Sequence, residues 1–125
     1  MIITGTYPKL RLRRIRKHDW SRRLVQENTL SCNDLILPLF LIDGKNKKES
    51  IKSMPGVFRY TVDKLPLILD KAVKHKIPMI ALFPYTNTKF KNGLGTEALN
   101  ENNLICKAIK ITKSISKDLG VISDV

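Results

Sequence analysis

An α/β fold built on parallel strands is what this sequence predicts, and three observations carry it. Asp34 to Gly44 (Asp-Leu-Ile-Leu-Pro-Leu-Phe-Leu-Ile-Asp-Gly) is a near-continuous apolar run, polar at its start and closed by Asp-Gly. Such a run marks a strand buried on both faces, as in a parallel sheet. Two shorter runs echo it, Met79 to Pro84 and Gly120 to Val125, and each interval has room for one helix. The order is therefore β-α-β-α-β. Three parallel strands covered by helices on one side leave the opposite sheet face and an edge bare, whereas a closed barrel has neither. The expected fold is a partial TIM (β/α)8 barrel, about three parallel strands with intervening helices, preceded by an extended N-terminal arm. The strands that would complete it are expected to lie outside these 125 residues.

Taken in order, residues 1–18 show no sustained period. Lys9, Arg11, Arg13, Arg14, Arg16 and Lys17 form a basic run broken by Leu10, Leu12 and Ile15. Too little apolar material is present to fold on its own face, so the segment reads as an arm ordered against another surface. Residues 19–28 read as a short helix capped by Asp19, with Trp20, Leu24 and Val25 on one side. The expected division is an arm with its short helix over 1–28 and the barrel portion over 29–125.

Ser31-x-x-Asp34 is a start signal of the capping-box kind. Gly44 to Ser50 reads as a polar exposed loop, Met54-Pro55-Gly56 as a turn, and Val57 to Tyr60 as a short extended piece. Thr61 is expected to cap a helix running to about Lys76, with Leu65, Ile68, Leu69, Ala72 and Val73 as its buried stripe. Pro66 suits the first turn. Residues 85–100 form a long polar loop holding Gly93 and Gly95, a length often tied to function. A last helix is expected over Glu101 to Lys117, with Leu104, Ile105, Ala108, Ile109 and Ile115 inward.

The formal charge of +12 is large enough to attract nucleic acid or an anionic surface. Much of it is lysine scattered along the chain, the pattern of a solvated surface, and Tyr7 and Trp20 are too sparse to supply stacking platforms for RNA. A basic nucleic-acid-binding protein is thus the weakest alternative, and no nucleic-acid partner is expected. No apolar run approaches a membrane span, and the N-terminus lacks the apolar core of a secretory signal. Cys32 and Cys106 match no ligand spacing and read as free thiols in a reducing, cytoplasmic setting.

One residue stands out chemically. Barrel enzymes gather their reacting groups at the C-terminal ends of strands, and Asp124 lies at the far end of an apolar strand. Alternation puts Ile122 and Asp124 on one face and Ser123, read as a packing residue, on the other. A carboxylate there is costly to bury unless it is hydrogen-bonded, paired or bound to metal. His18 and His75 read as surface residues. Gly93, Gly95 and Glu97 read as geometric, with Glu97 favourable near a helix N-terminus.

Several stretches together resemble the N-terminal part of the porphobilinogen synthase (delta-aminolevulinic acid dehydratase) family. They are Arg11-Leu12-Arg13-Arg14, Leu30-Ser31-x-x-Asp34-Leu35-Ile36-Leu37-Pro38-Leu39-Phe40, Ser53-Met54-Pro55-Gly56-Val57, Ile80-Ala81-Leu82-Phe83, Gly95-x-Glu97-Ala98-x-Asn100 and Leu119-Gly120-Val121-Ile122-x-Asp124-Val125. The resemblance implies a (β/α)8 barrel whose N-terminal arm embraces a neighbouring subunit, in assemblies that are commonly octamers. It implies condensation of two 5-aminolevulinate molecules to porphobilinogen with loss of two waters, through two Schiff-base lysines and assisted by zinc or magnesium. It places Asp124 beside the substrate amine. The implied metal loop would begin just after Val125, and no position here matches either lysine, since Lys71, Lys74 and Lys110 fall on predicted helices. The chain alone is therefore expected to lack synthase activity and to bind no metal specifically. The alternative is a non-catalytic interaction fragment that docks on an intact synthase subunit.

Overall fold

The computed structural model describes residues 5–123. Its contacts divide into two compact units, Met1–Leu30 and Ser31–Val125. In the first unit a 3-10 turn, Arg14–Arg16, precedes helix α1, Asp19–Leu24. Asp19 is the first helical residue rather than the cap, which is His18 in extended conformation. Its carboxylate pairs with Arg22 at 3.2 Å and Arg23 at 3.4 Å, a favourable place for negative charge at a helix start. The helix is shorter than the sequence predicts. After Val25 the next four residues are polar, and a short helix that buries only Ser21 and no apolar side chain is marginal. Trp20 and Leu24 line one side as expected, but within this unit they are 62% and 78% exposed.

The second unit opens with the capping box as read. The Ser31 N–H and hydroxyl both donate to Asp34 Oδ2, at 2.7 and 2.9 Å, and Ser31 Oγ accepts the Asn33 N–H. These bonds hold the Asp34 carboxyl below its ordinary range, the Ser31 N–H contributing most. The chain then enters strand β1, Ile36–Leu41. It continues through β2, Lys48–Ser50, β3, Phe58–Tyr60, helix α2, Leu65–Lys74, β4, Met79–Pro84, helix α3, Leu104–Ile115, and β5, Gly120–Ser123. The sheet order is β2-β3-β1-β4-β5. β3, β1, β4 and β5 run parallel and β2 runs antiparallel to β3.

The predicted three strands are therefore joined by a hairpin that the sequence reading took as a loop and an extended piece. Thr61 explains how it is held. Its side chain does not cap the helix. Thr61 is fully buried, and Oγ1 instead accepts the Lys47 N–H at 3.0 Å, tying the start of β2 to the end of β3. The helix is entered through a 3-10 turn, Val62–Lys64. It stops at Lys74 because Lys76 turns left-handed (φ 57°), and the Ile77 N–H closes back on the Ala72 carbonyl at 3.0 Å.

Both long helices cover the same sheet face. Leu39, Leu41, Ile80 and Leu82 meet Leu65 and Leu69 of α2, Leu104 and Ala108 of α3, and Leu119. The expected stripes are present with two changes. Val73 is 45% exposed, and Thr112 is fully buried, its hydroxyl satisfied by the Ala108 carbonyl at 2.8 Å. Lys113 Nζ donates to the Leu119 carbonyl at 2.7 Å, anchoring the turn into β5. At Gly120 a Cβ would lie 3.0 Å from the Met79 side chain and 3.3 Å from the Pro78 carbonyl, so the strand starts at a closely packed position. The opposite face carries Ile36, Phe40, Met79, Phe83 and Ile122, and within the second unit no described helix covers it. Ile36 is 50% exposed there and Ile122 45%.

Two outcomes follow. Leu69→Ala, at a fully buried position between helix and sheet, is expected to cost roughly 2–5 kcal/mol in urea unfolding. Because the Asp34 pKa is depressed below 3.8 in the folded chain, the stability it contributes is fully present above the unfolded value. That stability is lost as pH falls through the folded value. NMR titration should show the Asp34 carboxyl titrating below 3.8, and Asp34→Asn should reduce the acid sensitivity of the β1 start.

Candidate functional site at the C-terminal strand ends

The parallel strands end at Leu41, Tyr60, Pro84 and Ser123 along one rim of the sheet, the rim where α/β barrels place their chemistry. Asp124, the sequence-predicted site residue, lies outside the described residues. Ser123 is exposed and borders a cavity, rather than packing in the core as expected.

On the open face the registers build a row. Arg59 of β3 lies beside Phe40 of β1, and Phe40 beside Phe83 of β4. Phe40 and Phe83 stack at 5.3 Å between centroids. Tyr85, two residues beyond Phe83, continues that face, and its N–H donates to the Leu41 carbonyl at 2.9 Å. The Arg59 guanidinium sits 4.9 Å from the Tyr85 ring centroid and pairs with Glu49 of β2 at 3.0 Å. One cation thus bridges the hairpin and the segment after β4, across the end of β1. The pairing with Glu49 engages one of its five N–H donors and leaves others at the rim. On the hairpin's other face Lys48 Nζ lies 3.9 Å from the Phe58 ring centroid.

Behind the same rim, on the helix side, lies a cavity of about 510 Å³ bounded by Asp43, Tyr85, Glu97, Cys106 and Ser123. The long loop 85–100 forms its outer wall as two 3-10 turns, Thr88–Phe90 and Thr96–Leu99, with Gly95 left-handed at φ 62°. Glu97 therefore sits in the first turn of a 3-10 segment, where its carboxylate accepts the Asn100 side-chain amide at 3.3 Å. Asn103 locks the loop to the helix. Its Oδ1 accepts the Cys106 N–H at 2.8 Å and its Nδ2 donates to the Glu97 carbonyl at 3.2 Å.

His18 and His75 are exposed. Cys32 is exposed and Cys106 half-buried, both as free thiols. Lys71 and Lys74 lie on α2 and Lys110 on α3, all exposed. Among the described residues no three His, Cys, Asp or Glu side chains are grouped to hold a metal ion. No described helix is long and apolar enough to cross a membrane.

Residues 9–125 match the family model for delta-aminolevulinic acid dehydratase. The chain belongs to the delta-aminolevulinic acid dehydratase family. It is 51% identical over 116 residues to the dehydratase of Bradyrhizobium diazoefficiens, covering 93% of this chain and 33% of that protein. It is 40% identical over 120 residues to the dehydratase of Methanothermus sociabilis, covering 95% and 36%. Its fold matches a crystal structure of the Toxoplasma gondii dehydratase in complex with its reaction product porphobilinogen. The TM-score is 0.80 and the identity 34%, over 93% of this chain and 33% of that one. The chain thus spans about a third of the length of these relatives. The sheet, its helices and the preceding segment are a part of the family's (β/α)8 barrel with its N-terminal arm.

Arg59, Glu49 and Tyr85 were not singled out by sequence reasoning. The signal was a single charged residue alternating between two aromatics in Phe58-Arg59-Tyr60. In urea unfolding, a double-mutant cycle of Arg59→Ala and Tyr85→Ala is expected to show coupling of about 0.5–1 kcal/mol.

Proposed function

We propose that this chain contributes the opening strands, the adjoining rim and the arm of a porphobilinogen-forming dehydratase. The reaction is condensation of two 5-aminolevulinate molecules with loss of two waters. The observation that carries this reading is the match of residues 9–125 to the family, with parallel strands in the order a barrel needs. Asp124, next after the described end of β5, is assigned to orient the substrate amine. A carboxylate at that strand end holds an ammonium by charge-assisted hydrogen bonds. The arm over residues 1–28 mediates homo-oligomerisation of the octameric kind, with Arg11, Arg13 and Arg14 pairing with acidic groups of a neighbouring subunit. Exposed Leu12, Ile15, Trp20 and Leu24 support that assignment. The barrel portion over 29–125 then supplies the rim, in a cytoplasmic enzyme.

The chemistry that joins the two substrates falls to residues that do not match positions here. β1, β3, β4 and β5 carry no lysine, and Schiff-base formation needs an amine held where its proton is easily lost. Zinc or magnesium, which the family resemblance implies, would act as a Lewis acid when bound. The described residues supply no ligand set for it.

Two assays test the reading. Residues 1–125 incubated with 5-aminolevulinate and zinc or magnesium are expected to form no porphobilinogen above blank, and product formation would overturn that. Grafting residues 9–125 in place of the matching third of the Bradyrhizobium enzyme should give an active chimera. In it, Asp124→Asn should lower turnover by about a hundredfold. A folded chimera with unchanged turnover after that substitution would remove Asp124 from its role.

A further inference from the structure

We propose that the cavity behind the rim is a binding site for a small organic cation, an apolar body carrying a primary ammonium group. Every residue bordering it lies between Asp43 and Ser123. The inference therefore stands on the second unit alone and does not depend on the family reading.

The volume of about 510 Å³ falls within the range of small-molecule sites, roughly 300–1,000 Å³. The walls are mostly apolar. Pro84 ends β4, Phe90 and Ala98 come from the loop, and Leu104, Ile105 and Ile109 from α3. Pro84 and Ser123 pair in register with Leu41 and Leu82, both buried beneath the helices. The cavity thus lies on the helix side of the sheet, not on the face of Phe40 and Phe83.

The loop wall is already built. Asn87 Oδ1 accepts the Lys89 N–H at 3.0 Å, and Asn92 Oδ1 accepts the N–H groups of Leu94 and Thr96, both at 3.2 Å. With Asn103 bonded as described, these amide side chains are engaged in holding the loop. A ligand meets a formed wall instead of ordering one, which lowers the entropic cost of binding.

Charge decides the class of ligand. The chain has 23 Lys and Arg against 11 Asp and Glu. Around this cavity the balance reverses, with two acids, Asp43 and Glu97, and one base, Lys91. Glu97 accepts the Asn100 amide, whereas Asp43 has no hydrogen bond or ion pair to any described residue. An unpaired carboxylate beside an apolar cavity favours an ammonium group, through charge-assisted hydrogen bonds that strengthen where water is excluded. The Tyr85 ring is already taken by Arg59, but Phe90, 52% exposed, offers a ring that a cation can approach. An anionic ligand would meet two carboxylates, and a neutral one would leave Asp43 unpaired.

The test titrates the whole chain with phenethylammonium and follows its backbone amides by NMR. Hydrocinnamate and hydrocinnamyl alcohol serve as negatively charged and neutral counterparts of similar size. Saturable shifts are expected at Gly95 to Ala98 and Leu104 to Cys106, with a Kd of about 1 mM or tighter, the range of a fragment-sized ligand. Both counterparts should bind at least about tenfold more weakly, a comparison that needs no variant. Asp43→Asn should weaken phenethylammonium at least about fivefold and leave the alcohol unchanged. Asp70→Asn removes the same charge from an exposed position on α2 and should leave all three ligands unchanged. In a Cys32→Ser chain, phenethylammonium should slow alkylation of Cys106, which borders the cavity. Absence of saturable shifts at about 10 mM phenethylammonium would overturn the proposal. So would equal affinity for the three ligands, shifts centred away from the cavity, undiminished binding by Asp43→Asn, or unchanged alkylation of Cys106.

Discussion

The demand that β1 makes on its surroundings governs this molecule. The strand is apolar at every position from Ile36 to Leu41, so both of its faces favour removal from water. A side chain of leucine size contributes roughly 1.5–3 kcal/mol when fully buried. The chain meets that demand on one face only. Leu39 and Leu41 are buried under α2 and α3, and Ile80 and Leu82 of β4 extend the same layer. Across the strand, Phe40 and Phe83 stack on each other, and within this unit no described helix lies on that face. That one-sidedness fixes which face of the sheet is the lumen, and therefore which side chains at the rim point toward a barrel's interior. Arg59 and Tyr85 belong to that set because register and alternation place them there.

What the sequence made legible follows from the scale of the interactions involved. β1, β4 and β5 were readable because continuous apolar runs bounded by Gly, Pro and Asp need no distant partner to be recognised. The capping box at Ser31 was readable for the same reason, its donors and acceptor lying within four residues. The hairpin was not. β2 and β3 have three residues each and no apolar run. They exist because Thr61 ties them together and the Ile42 N–H reaches the Tyr60 carbonyl at 3.0 Å. Thr61 illustrates the ambiguity well. A threonine before a helix looks like a cap, and only the fold shows its hydroxyl turned toward Lys47. Thr112 was passed over because a polar residue on a helix stripe reads as exposed until its hydroxyl is seen bonded to the turn before it.

The rim shows the same limit more sharply. Asp124 was reachable by alternation along one strand, and it falls beyond the described residues. The Arg59–Glu49–Tyr85 contact needed two registers and a strand-end position to be known together, none of them local. The cavity behind the rim is similar. Its wall depends on Asn103 joining a loop carbonyl to a helix start six residues later. The loop's length flagged that region, but length alone does not specify a contact.

The charge of the chain is informative once its placement is known. Lysines that looked like solvent decoration include two with structural partners, Lys48 over Phe58 and Lys113 at the Leu119 carbonyl. More telling is where charge is absent. Arg59 enters the open face only at the rim, and there it is neutralised by Glu49. The rest of that face, and β5 beside it, carries no charge. Solvent-exposed sheet surfaces and edges ordinarily carry charge to avoid chance pairing, as β2 does. A surface left apolar along its full length, next to an edge left bare, has the composition of an interior. The barrel fold gives that composition a reason: in a closed barrel such a face and such an edge are covered by other strands and inward side chains, and the charged pair Arg59–Glu49 stands at the rim.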